Sequence, residues 1–317
     1  MKLFANACLS LSVFSAALPA LAAPAASVPA AATAPAARVT VGKLERLALA
    51  PSKFVDARPV EVWLPDGYAD KVRAGKRFQV LYMHDGQMLF DASTTWNKTA
   101  WNVHETLARL VREGKVDDTI IVGIFNIADN RYFEYFPEKF LDEMSPGARA
   151  AFVRDGLKHQ PEADDYLRFL VQELKPVIDA RYATRLDAAG TFIMGSSMGG
   201  LISVYAMSEY PQVFGGAAGL STHWPGIGKH NAVLPLAAYN YLDHKLPAPQ
   251  GHKLYQDHGG VGLDAMYAPY QAFVDQIVRD KGYTDAHYLS KVYPADDHNE
   301  KAWAARLEAP LVFLLGK

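Results

Sequence analysis

Residues 191–200 read TFIMGSSMGG, an apolar β-type run followed by three glycines and two serines in six positions. Gly195-Ser196-Ser197-Met198-Gly199 fits G-x-S-x-G with Ser197 central. In the frame centred on Ser196, Met194 and Met198 take the glycine places, and the pattern fails. A sharp strand-to-helix turn needs small neighbours around a strained residue, and it lifts that residue's side chain clear of the sheet. The Met198 amide then lies at a helix N-terminus, where it can stabilise an oxyanion. The plainer reading is a Gly/Ser turn; the strand before it and the helix after it favour a serine nucleophile.

A neutral serine hydroxyl is a poor nucleophile and needs a base, which a carboxylate must orient. In this motif class the chain order is serine, acid, histidine. His298, in KVYPADDHNEKAW, follows the last strand candidate and precedes a terminal helix, which suits the base. A helix-flanking polar residue, or a metal cluster with Asp296, Asp297 and Glu300, is the competing reading, and the spacing matches no metal-ligand motif. The acid is expected in DHGGVGLDAMY, after the strand KLYQ. Asp264 is favoured and Asp257 is the alternative. Asp264 could instead be an ordinary helix N-cap. A second oxyanion donor is expected in the loop HDGQMLFD, with the Gln87 amide the candidate and Gly86 allowing close backbone approach. His84 and Asp85 shape this loop rather than perform the chemistry. No metal or organic cofactor is called for.

These residues must be held by a framework of strands and helices. Strands are expected at 43–50, 59–64, 78–83, 119–125, 191–194, 216–220, 253–256 and 288–293. Helices are expected at 101–113, 164–180 (kinked at Pro176), 201–210 and about 265–279. The runs FQVLYM and TIIVGIF lack polar alternation, as strands buried on both faces do. Strand–helix alternation of this kind implies an α/β fold with a mostly parallel sheet covered on both faces. Ligands then sit at the carboxyl ends of the strands.

The 317 residues carry a formal net charge of −2 and no basic stripe, which argues against a nucleic-acid partner. Lys2, the apolar run 3–18 and Ala20-Leu21-Ala22 read as a signal peptide over residues 1–22, and so as a periplasmic or secreted protein without a membrane anchor. Cleavage there would remove Lys2, leaving 31 basic against 34 acidic residues, and would also remove Cys8, the only cysteine. Residues 23–37 are almost all Ala and Pro, a tether rather than a core. Residues 38–317 form the expected single domain. Oligomeric state is not legible.

Together, LYMHDGQMLFD, WNVHETLARLV, IMGSSMGG, DHGGVGLDAMYAPY and DHNEKAWAARLEAPLVFLL resemble the group of α/β-hydrolases classed as putative esterases. That group includes esterase D-like, enterobactin esterase-like and carbohydrate esterase family one enzymes, and mycolyltransferases. The resemblance runs from about Val41 to the C-terminus. It implies the α/β-hydrolase fold, Ser197 as nucleophile, His298 as base, and the Gln87 and Met198 amides as the oxyanion hole. Members often carry the acid in a short Gly-Thr-x-Asp turn; here the turn from Gly259 to Asp264 is longer. GLSTHW resembles a loop bordering the cleft, making Trp224 a candidate substrate wall.

The expected activity is that of a secreted serine esterase. The aromatic-rich segments 126–161 and 222–245 suit sugars or aryl acids, although most of their aromatics are expected to pack onto the body. A feruloyl or acetyl ester of a polysaccharide or wall phenolic is the leading substrate, and a siderophore ester the second. An acyltransferase on the same serine and an inactive sugar-binding module are the competing classes.

Overall fold

The computed structural model describes residues 36–316, so the expected signal peptide and most of the tether lie outside the described residues. Eight strands form one sheet: β1 Lys43–Leu47, β2 Val60–Leu64, β3 Gln79–Met83, β4 Thr119–Ile124, β5 Thr191–Ser196, β6 Gly216–Leu220, β7 Lys253–Gly259 and β8 Tyr288–Tyr293. Their order is β1-β2-β4-β3-β5-β6-β7-β8. β1 and β2 pair antiparallel, as do β2 and β4; every other pairing is parallel.

The buried strands read as uninterrupted apolar runs because both faces are covered. Val80 and Tyr82 point into one core, with Leu170, Ile178, Ile202, Tyr241 and Val274. Leu81 and Met83, one residue out of phase, point into the other, with Leu107, Leu110, Leu311 and Leu314. The edge strands β1 and β8 are only partly buried.

Most element ends fall within a few residues of the expectation. The kinked helix differs in kind. Ala163–Arg168 and Lys175–Arg181 are α-helical, and Phe169–Leu174 between them is a wider π-type turn. Pro176 has no N–H to give and its ring crowds the carbonyl four residues back, so the widened turn just ahead of it takes up the misfit.

From β3 the chain moves to β4 on one side, then returns to β5 on the other. β3 and β5 are neighbours, with Met83 opposite Met194. The strand order therefore reverses between them, and the loops leaving their carboxyl ends diverge around a crevice. Those loops carry Gln87 and Ser197.

Candidate active site

Ser196 and Ser197 meet different fates at the end of β5. Ser196 is the last strand residue, paired with Leu220 and 3% exposed. Ser197 is half-buried and sits at φ 58°, ψ −122°, a strained conformation for a residue with a Cβ. Its N–H donates to Leu220 O at 2.9 Å, while its carbonyl accepts from Gly200, Leu201 and His223. The turn is thus bolted to the end of β6, and Ser197 is raised above it.

The glycines around it are not equivalent. A Cβ on Gly195 would lie 2.7 Å from Gly199 O, with nothing but backbone to yield. A Cβ on Gly199 would make ordinary contact with Asp85 and His84 at 3.4 and 3.5 Å. Gly200, outside the pentapeptide, lets the helix approach β6, since a Cβ there would lie 3.2 Å from Gly219 Cα.

Met198 begins the helix Met198–Glu209, so its N–H has no intrahelical acceptor. The loop after β3 starts with Asp85 in the left-handed region at φ 57° and continues as one 3-10 turn, Gly86–Met88. Met88 N–H bonds back to Asp85 O, which leaves the Gly86 and Gln87 amides ahead of the first bond of that turn. Arg131 clamps Asp85 with two bonds of 2.8 Å, and Asn126 Nδ2 adds a third at 2.6 Å. Gly86 packs against Gly123 and Ile124 so closely that a Cβ would fall 2.7 Å from the Gly123 carbonyl carbon. This small cluster fixes the position of the Gln87 amide. Burial pushes the Asp85 carboxyl up, but Arg131 outweighs it and holds the group below the usual range.

The acid-bearing loop explains its glycines. Gly260 and Val261 donate to Asp296 O at 3.0 and 3.1 Å, and a Cβ on Gly259, Gly260 or Gly262 would run into residues 294–297. Laid on that segment, the loop brings Asp264 Oδ1 to 2.6 Å from His298 Nδ1. Asp264 Oδ2 accepts from Gly259 N at 2.7 Å and from Ser221 Oγ at 2.5 Å. Burial raises the Asp264 carboxyl, but the bonds from His298 and Ser221 prevail and keep it below its ordinary value. Asp264 is therefore engaged with His298 and does not cap the next helix, whose N-cap makes no side-chain bond.

Asp257 does something else. It is wholly buried and accepts from Arg306 Nη2 (2.9 Å), Ser221 N (3.0 Å) and Tyr255 Oη (2.9 Å). Burial pushes its carboxyl up to about 6 despite Arg306. It supports Ser221 and the strand end, and no contact joins it to His298 among the described residues.

His298 precedes Asn299, whose side chain caps the helix Glu300–Ala305 through Ala302 N–H at 3.0 Å. Trp303 of that helix stacks edge-on against the His298 ring, centroids 5.0 Å apart. Trp303 Nε1 and Arg306 Nη2 both donate to Ser221 Oγ. The His298 side chain is 14% exposed and its Nε2 makes no bond among the described residues; no hydrogen bond joins it to Ser197 Oγ. Such bonds commonly close only when substrate is bound.

Trp224, expected as a cleft wall, is 2% exposed, and its Nε1 donates to Gln271 at 2.9 Å in the interior. It packs the loop onto the body and has almost no surface to offer a ligand. Tyr135, Phe136, Phe140 and Tyr241 of the two aromatic segments are likewise buried. Arg131, Ser221, His223, Tyr267, Trp303 and Arg306 belong to the site's surroundings but were not among the residues expected from sequence. The EKAWAAR run, with Trp303 in the helix just after His298 and Arg306 at its C-cap, is the readable hint. Among the described residues no cluster could hold a metal ion, and no helix is long and apolar enough to cross a membrane.

Comparison with known proteins agrees with this architecture. A family model described as "Putative esterase" matches residues 52–314. "Uncharacterized protein YbbA" of Bacillus subtilis (strain 168) is 24% identical over 168 residues, 53% of this chain and 58% of that protein. The "Endo-1,4-beta-xylanase/feruloyl esterase" of Xylanibacter ruminicola is 25% identical over 182 residues, 55% of this chain and 21% of that protein. The chain thus spans less than two thirds of the length of these relatives. Among solved structures, a ferulic acid esterase superposes with a TM-score of 0.60 at 18% identity, covering 88% of this chain and 99% of that one. The enterobactin esterase of Shigella flexneri superposes with a TM-score of 0.59 at 17% identity, covering 92% and 63%. These likenesses are to the α/β-hydrolase fold.

Proposed function

Since the chain belongs to this esterase family, we propose that it is a secreted serine hydrolase of carboxylic esters, with Ser197, His298 and Asp264 as its catalytic triad. The observation that carries the reading is the 2.6 Å contact of Asp264 with His298 Nδ1, which leaves Nε2 without a bond among the described residues, while Ser197 is raised at positive φ at the end of β5. With Nδ1–H donated to the carboxylate, Nε2 is the basic nitrogen. Ser197 attacks the ester carbonyl as His298 takes its proton. The Met198 and Gln87 amides, held by a helix start and by the Asp85–Arg131 clamp, receive the developing oxyanion. His298 returns the proton to the leaving alcohol, then activates water to release the acid.

The substrate reading is an ester of a phenolic acid or polysaccharide. The sequence likeness to a bifunctional xylanase and feruloyl esterase supports it, as does the export signal read in residues 1–22. Hydrolysis of p-nitrophenyl acetate by wild type and Ser197→Ala tests the mechanism; full activity in the variant would refute it. A screen of feruloylated, acetylated and catecholate esters tests the substrate, and preference for the catecholate would replace the phenolic reading with a siderophore one. Release of a chain starting at Ala23 into the periplasm or medium tests export; retention of residues 1–22 in that fraction refutes it.

A further inference from the structure

One histidine beside the catalytic pair has no part in the mechanism above. His223 lies in the loop after β6, 6% exposed, with its backbone N–H donated to the Ser197 carbonyl at 3.2 Å. Its ring is 6.5 Å from the His298 ring, centroid to centroid. Nδ1 is hydrogen-bonded to the phenol of Tyr267, a residue 1% exposed. That phenol has no second partner among the described residues. If Nδ1–H donated to it, the phenolic proton would be buried without an acceptor, which is costly. The favourable arrangement has Tyr267 O–H donating to Nδ1, which puts the ring proton on Nε2. Nε2 itself has no protein partner among the described residues, yet it is not sealed from solvent, so it opens where the ring surface does. Burial, and the neighbouring His298 and Arg131, push protonation of this ring down to about 4, so it is a neutral donor near pH 7.

Resting on the hydrolase reading, we infer that His223 Nε2–H donates to a hydroxyl or ether oxygen on the alcohol part of the ester, next to the scissile bond. The alcohol side follows from the neighbour: His298 must reach the leaving oxygen, and His223 stands beside His298. The residue would make the site prefer esters of vicinal diols, such as sugars or glycols, over esters of plain alcohols. Tyr267 is the positioning residue that fixes the tautomer.

The test compares kcat/KM for 2-hydroxyethyl acetate with that for ethyl acetate. His223→Phe is expected to lower the ratio about tenfold relative to wild type, the loss of one hydrogen bond to a polar partner. His223→Gln, which keeps an N–H donor, should restore part of it, and Tyr267→Phe should lower it in part. Nitrogen-15 spectra of the wild-type ring should show a protonated Nε2 and a bare Nδ1, changing to a tautomer mixture in Tyr267→Phe. An unchanged ratio in His223→Phe, a protonated Nδ1 in wild type, or a cationic ring at pH 7 would each overturn the inference. A wild type that cleaves neither ester would sink the hydrolase reading and this inference with it; cleavage at an unchanged ratio sinks the inference alone.

Discussion

Replacing Asp264 with asparagine exchanges one oxygen for an NH₂ group without changing the side chain's shape. The amide can face two ways. Two donors converge on Oδ2, the Gly259 N–H at 2.7 Å and the Ser221 hydroxyl at 2.5 Å, so the amide oxygen belongs there. The NH₂ must then face His298 Nδ1, which becomes an acceptor, and the imidazole proton moves to Nε2. The base nitrogen is thereby occupied. A wrong tautomer of this kind costs about 10⁴ in kcat, or about 5.4 kcal/mol of barrier. Asp257→Asn is the matched control, because it weakens the bond to Arg306 instead. Breaking a buried ion pair costs about 3–5 kcal/mol. The lower figure applies because Arg306 also reaches Asp296 at 3.1 Å and Ser221 Oγ at 2.7 Å. For a domain of about 280 residues that corresponds to a fall in melting temperature of about 5 °C. The assay is kcat/KM for p-nitrophenyl acetate at 20 °C, pH 7.5, alongside thermal melts of both variants. Asp264→Asn should be nearly inactive with a melt close to wild type; Asp257→Asn should melt early but retain activity within about tenfold. Activity within tenfold of wild type in Asp264→Asn would refute the reasoning. So would a thousandfold loss in Asp257→Asn with an unchanged melt.

Three further outcomes follow from the geometry. Arg131→Leu releases Asp85 and with it the Gln87 amide, so kcat should fall about 10–100-fold with a smaller change in KM, and Arg131→Lys should not rescue it; a change confined to KM would contradict this. Gly195→Ala should melt several degrees below Gly199→Ala, because only the former Cβ meets unyielding backbone; equal melts would count against that account of the turn. His84 is buried against Tyr166, and burial pushes its protonation down to about 3 from the ordinary value of about 6.5. The unfolded chain therefore binds an extra proton below pH 6.5, so this residue's contribution to stability is complete above that pH and is lost as pH falls toward 3. Between pH 6 and pH 4 the unfolding free energy of wild type should drop roughly 2–3 kcal/mol more than that of His84→Asn; parallel curves would show that His84 is protonated in the native state.

The framework was legible because β2 to β7 are covered on both faces and so carry unbroken apolar runs. The choice between Ser196 and Ser197 was open to the pentapeptide frame, and the structure separates them by burial: one ends a strand, the other leaves it. The rivalry between Asp257 and Asp264 could not be resolved by spacing, because the contacts that divide their roles come from Ser221, His298 and Arg306, all distant in the chain. Trp224 departs from the expectation for a similar reason. A tryptophan after a strand end can face a cleft or the core, and its partner Gln271 lies on a helix 47 positions later. His223 carried no local signal, since only Tyr267 and the fold give its ring a fixed proton.

The central claim, that Ser197 is the nucleophile of an acyl-enzyme cycle, is tested most directly by reaction with a fluorophosphonate followed by peptide mass mapping. A single adduct on Ser197, lost in His298→Ala and strongly slowed in Asp264→Asn, is the predicted result. Ester hydrolysis by a protein whose Ser197 stays unlabelled, or an adduct on Ser196 instead, would contradict it.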